Sequence, residues 1–142
     1  MFSKEESKKV REEFWTNFGK GYPRKWVLYN TGIKEVQLKF TFNTEFAQVS
    51  LDVYSADEII QDYYFEKVYA LRTILKDDYL NEIKIEENYL LPEGKSVTRF
   101  YVQLNSVNIN NRKHWTEVSE FLNENMERIE SFFLEYKDYI EA

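Results

Sequence analysis

Val36-Gln37-Leu38-Lys39-Phe40-Thr41-Phe42-Asn43-Thr44-Glu45-Phe46-Ala47-Gln48-Val49-Ser50-Leu51-Asp52-Val53 is the stretch on which the fold turns. From about Glu35 the apolar period is two. Val36, Leu38, Phe40 and Phe42 point one way, and Gln37, Lys39 and Thr41 point the other. Asn43-Thr44-Glu45 reads as a hairpin loop, after which Ala47, Val49, Leu51 and Val53 share one face and Gln48, Ser50 and Asp52 the opposite one. A loop this short requires antiparallel pairing, and the alternation predicts one buried and one wet face.

Upstream, Ser3 and Glu6 form a capping box that starts a helix, with Val10, Phe14, Trp15 and Phe18 at helical spacing. Gly19 is expected to end that helix in a left-handed conformation. A basic, aromatic connector runs on to about Gly32. Downstream, Ser55 and Glu58 predict a second capping box, opening a helix that reaches Lys76. Its apolar stripe is Ile59, Ile60, Tyr63, Tyr64, Val68, Leu71 and Leu75, with Asp77-Asp78 as its exit. Leu80–Glu87 alternates again through Ile83 and Ile85, Pro92-Glu93-Gly94-Lys95 is a turn, and Thr98–Asn105 is a further strand. In that strand Thr98, Phe100, Val102 and Leu104 oppose Arg99, Tyr101, Gln103 and Asn105. Asn110 or Asn111 caps a last helix whose stripe is Trp115, Val118, Leu122, Met126, Ile129, Phe133, Tyr136 and Ile140. The order α-β-β-α-β-β-α predicts one α+β domain over residues 1–142, a four-stranded antiparallel sheet with three helices packed on one face.

Composition narrows the function. A chain of 142 residues buries enough surface to need no disulfide or structural metal. It has no cysteine and a single histidine, His114, which removes thiol catalysis, thiolate zinc sites and any site needing two imidazoles. No cofactor is implied. The charged start does not read as a secretory signal, and no apolar run approaches the roughly 20 residues of a membrane helix, so the expectation is a cytoplasmic protein without a membrane partner. The net charge of -6 is uneven: residues 1–40 carry nine Lys/Arg against five Asp/Glu, whereas the rest carry ten against twenty.

The basic excess centres on Gly19-Lys20-Gly21-Tyr22-Pro23-Arg24-Lys25-Trp26. Cations there can fix phosphates while rings stack on exposed bases, which makes Lys20, Tyr22, Arg24, Lys25 and Trp26 candidate binding residues. Arg99 and Tyr101, on the expected wet face of the sheet, could extend the patch, as could Arg112, Lys113 and His114. The plainer reading is a loop whose rings pack on the core while its charges are solvated.

A metal-dependent nuclease is the enzymatic alternative. Asp52 with Glu82 could hold Mg²⁺, and Lys84 could position the attacking water. Glu-x-Lys is nevertheless common by chance in charged strands, and phosphate loops and nucleophile elbows are missing. The third reading is a homodimerising or protein-partner module, using Tyr54, Tyr101 and Gln103 on the outer sheet face, or Phe121 and Phe132 off the main stripe of the last helix.

Several segments carry a family likeness: Phe2-Ser3-Lys4-Glu5-Glu6, Arg11-Glu12-Glu13-Phe14-Trp15-Thr16-Asn17-Phe18-Gly19-Lys20, Tyr29-Asn30-Thr31-Gly32-Ile33-Lys34, Phe65-Glu66, Arg99-Phe100-Tyr101 and His114-Trp115. Together they resemble the bacterial family catalogued as domain of unknown function 4268. The chain departs from that pattern in its short Lys20–Trp26 segment and in having His114 where an Asp is usual. The resemblance implies no active site. It does imply a helper role near nucleic acids or in phage defence, because the family also occurs behind nuclease-like and restriction-associated domains. The expectation is therefore a non-enzymatic binding module whose partner is nucleic acid or protein.

Overall fold

The Asn43 side chain closes the first hairpin. Its Oδ1 accepts from the backbone N–H groups of Glu45 (2.8 Å) and Phe46 (2.9 Å), joining β1 (Val36–Phe42) to β2 (Phe46–Val53) in the computed structural model, which describes residues 2–142. Leu38 faces Leu51 and Phe40 faces Val49 across the pair, so the apolar sides coincide. β3 (Lys84–Leu90) and β4 (Ser96–Asn105) complete an antiparallel sheet in the order β1-β2-β4-β3. The protein is thus α+β with four antiparallel strands.

α1 (Lys4–Gly21) starts at the predicted box: the Glu6 N–H donates to Ser3 Oγ at 3.1 Å and the Ser3 N–H to Glu6 Oε1 at 3.3 Å. It does not stop at Gly19. Tyr22 lays its ring 5.3 Å from that of Phe18 and donates its N–H to the Phe18 carbonyl, which draws the helix on to Gly21. The left-handed glycines are Gly32 and Gly94 instead.

The second helix also differs. α2 (Glu58–Tyr69) is capped by Asp57, whose Oδ1 accepts from the Ile59 N–H at 2.9 Å, and Ser55 merely supports that turn through the Asp57 N–H. Nor does it reach Lys76. The chain breaks at Ala70-Leu71, re-forms a short α3 (Arg72–Ile74) and widens into a π turn over Leu75–Tyr79, so the described residues form four α-helices rather than three. The Leu80 N–H bonds the Leu75 carbonyl at 2.8 Å, and this five-residue repeat lets Leu75 and Leu80 both enter the core.

Asn111 caps a 3-10 turn (Arg112–His114) leading into α4 (Trp115–Glu141). Val118, Leu122, Met126, Ile129, Phe133 and Ile140 are buried, as their spacing predicted, and Phe132 is buried too, against Tyr79 at 5.5 Å. Phe14 of α1 meets Phe42 (4.8 Å) and Trp115 (5.4 Å), while Phe65 of α2 reaches Phe100 (6.2 Å), so the long helices share one face of the sheet.

The opposite face is not wet as expected. Gln48, Ser50, Asp52, Arg99 and Tyr101 are all buried. The cause is a bulge at Glu87-Asn88: Glu86 pairs with Arg99 and Tyr89 with Val97, three steps on β3 against two on β4. Before the bulge, Lys84 and Glu86 share the outer face with Tyr101 and Arg99. After it, Tyr89 and Leu91 do. The extra residue re-aims the end of the hairpin so that it roofs the central strands.

Candidate functional site

The basic connector is anchored from beneath by Glu130, a buried carboxylate on α4. The Val27 N–H donates to Glu130 Oε2 at 2.8 Å, and the Arg24 guanidinium bonds Glu130 Oε1 while lying 4.1 Å over the Trp26 ring. Trp26 meets Phe40 edge-on at 5.7 Å. Tyr22 and Trp26 are therefore half-buried anchors; Lys20, Arg24 and Lys25 are all exposed, Arg24 while paired to Glu130. The flanking cations are partly engaged as well. Arg112 pairs with Glu13 and covers Trp115 at 4.7 Å, while His114 Nδ1 accepts the Asn108 N–H at 2.9 Å.

Arg99 and Tyr101 do not extend this patch, because the roof over the outer face seals them in. Arg99 Nε and Nη2 grip the two oxygens of Asp52 at 2.8 and 2.7 Å, and Nη1 donates to Gln48 Oε1 at 2.7 Å. Gln48 Nε2 in turn lies 2.6 Å from Gln103 Oε1 and 3.0 Å from the Tyr89 hydroxyl, whose ring sits 4.4 Å over the guanidinium. Burial alone would lower the Arg99 pKa, but the hydrogen bonds and charge of Asp52 outweigh it and raise the value. Tyr101 donates to Glu86 Oε1 at 2.5 Å, and burial followed by that bond pushes its phenol well above the usual range.

The same network occupies the acid that a nuclease would need. Both Asp52 oxygens are taken by Arg99, Glu82 lies ahead of β3, and the β3 residue in the Asp52–Arg99 row is Glu86. Among the described residues, no three His, Cys, Asp or Glu side chains gather as a metal site.

The surface that sequence reasoning misplaced is α2. Of its predicted buried stripe, only Val68 is buried within the helix. Ile59 is 81% exposed, and Ile60, Tyr63 and Tyr69 are exposed as well. At roughly 100° per residue, Ile59 stands diametrically opposite Val68. Lys67 Nζ bridges two rings of this surface, 5.5 Å from Tyr63 and 4.7 Å from Tyr139 of α4. Between the start of α2 and the β3–β4 hairpin opens a groove of about 740 Å³, with Tyr54 and Phe65 among its walls. Glu130 was missed for a different reason. Its signal was present, a carboxylate set between Met126 and Phe133 on an otherwise apolar stripe.

The family model described as Domain of unknown function (DUF4268) matches residues 10–137. The chain belongs to that family. The DUF4268 match runs from the first buried turn of α1 into the last turns of α4, and so contains the Asp52–Arg99 network, Glu130 and all of α2. No curated protein and no solved structure matches the chain. No helix among the described residues is long and apolar enough to cross a membrane.

Proposed function

We propose that this DUF4268 domain is a non-enzymatic interaction module that contacts another protein through the outward face of α2. The observation that carries the reading is Ile59, a large aliphatic side chain left 81% exposed beside Ile60 and Tyr63 on a helix that buries little else. A contiguous exposed apolar surface is the usual mark of an interface. The polar groups of the sheet support the same reading, because Asp52 and Arg99 satisfy one another and leave no free acid in their row except Glu86, itself bonded to Tyr101.

The test is retrieval of a partner by the tagged chain from its own cells, with Ile59→Glu/Tyr63→Glu as the comparison. A stoichiometric protein held by the wild type and lost from an equally stable variant supports the reading. Retrieval indifferent to these substitutions refutes it. A nucleic-acid role rests on Lys20 and Lys25, exposed cations of the connector, because Arg24 is bonded to Glu130. It requires a low-salt mobility shift that a Lys20→Ala/Lys25→Ala variant loses.

A further inference from the structure

We infer that the α2 face takes a basic, apolar segment of a partner protein; the inference rests on the interaction reading above and adds the chemistry of what binds. Ile59, Ile60 and Tyr63 supply the apolar anchors. Glu58, Asp62 and Glu66, all exposed, follow one another at four-residue spacing along the same helix. Like charges at that spacing repel, so the free helix carries a strain that a bound cation relieves. Lys67, the sole cation of α2, is already engaged between Tyr63 and Tyr139. The adjoining groove repeats the pattern: Glu58, Asp62, Glu87 and Glu93 line it, and its one cation, Lys95, lies 3.9 Å over the Tyr54 ring. Both the rim and the groove accept positive charge, and an aromatic face there already holds an ammonium group.

The same charges argue against the other occupants. Two copies docked through α2 would set Glu58, Asp62 and Glu66 against their own duplicates, while nucleic acid and anionic lipid would meet a surface of their own sign. A polypeptide with aliphatic and basic side chains on one face satisfies both the anchors and the rim.

The probe is a fluorescent amphipathic peptide of leucine and lysine, with a leucine–glutamate peptide as its counterpart, titrated against the full chain by anisotropy. The lysine peptide should bind and the glutamate peptide should not. Ile59→Ser should weaken binding about tenfold, a loss typical of an interface anchor. Asp62→Lys/Glu66→Lys should transfer preference to the glutamate peptide. Asp77→Lys/Asp78→Lys, which changes net charge equally but away from α2, should leave binding unaltered. Absence of binding, equal affinity for both peptides, or equal loss in the Asp77/Asp78 variant overturns the inference, as does a dimer in light scattering that Ile59→Ser abolishes. Should retrieval instead deliver an acidic partner dependent on Ile59, the interaction reading survives and only the basic segment falls.

Discussion

Replacing Asp52 by alanine tests whether the sealed outer face is held by charge pairing. The substitution removes two charge-assisted bonds of 2.8 and 2.7 Å from Arg99, a residue only 1% exposed. What remains around the guanidinium is Gln48 Oε1 at 2.7 Å and the Tyr89 ring at 4.4 Å. Breaking a buried pair by deleting one member costs about 3–5 kcal/mol. The two surviving contacts place the expected loss near the lower end, about 3 kcal/mol, a large part of the roughly 5–15 kcal/mol that holds such a domain together. In urea unfolding followed by far-UV circular dichroism, an m-value of roughly 1.5 kcal/mol/M turns this into a midpoint lower by about 2 M. Asp52→Leu/Arg99→Met removes both charges and should recover at least half of the loss, because the Tyr89 roof can pack on an apolar side chain. A single-variant cost below about 1 kcal/mol, or a double variant as weak as the sum of its parts, would refute the reasoning.

Other outcomes follow from the same geometry. Gly19→Ala should stabilise by about 0.5–1 kcal/mol in thermal melts, because Gly19 lies inside α1 and an added methyl meets nothing within 4 Å. Gly32→Ala should cost about 1–2 kcal/mol: its φ is +84°, and only the movable end of Lys137 crowds the site. Glu130→Ala strips the acceptor from the Val27 N–H and should cost about 1–3 kcal/mol. Hydrogen exchange should quicken across residues 24–28 before it does in α4. Tyr64, Tyr79 and Tyr101 are all raised above the ordinary value, chiefly by burial, so the folded chain keeps protons that the unfolded chain releases. Stability should therefore hold below pH about 10 and fall as pH rises through the folded values. Tyr101→Phe should flatten that fall in urea midpoints taken across the alkaline range.

The parts of the fold legible in the sequence are those decided by local pattern. Asn43 and the alternation either side of it specify the first hairpin, and the long stripe from Val118 to Ile140 specifies α4 and the face it buries. Periodicity assigns a residue to a face but not to a cover. Hence the alternation puts Arg99 and Asp52 on the correct side of the sheet, yet their burial depends on a roof formed by a hairpin whose bulge leaves no periodic trace. The α2 stripe failed in the opposite direction. Ile59, Ile60 and Tyr63 have helical spacing, but the helix turns that side away from the core, and the break at Ala70-Leu71 separates it from Leu71 and Leu75, which do pack. In the connector, the rings of Tyr22 and Trp26 announced an anchor, while the carboxylate holding it lies over a hundred residues further along the chain.

The bulge also sets a rule of parity for the β3–β4 hairpin. Deleting one residue at Glu87-Asn88 would remove the bulge and leave plain alternation, with Tyr89 and Leu91 still on the side of the Arg99 guanidinium. Deleting two would set Tyr89 next to Glu86, turn Tyr89 and Leu91 toward the helices and uncover the guanidinium. The corner should thus tolerate the loss of one residue but not of two, so that losing a pair of codons here does more harm than losing a single one.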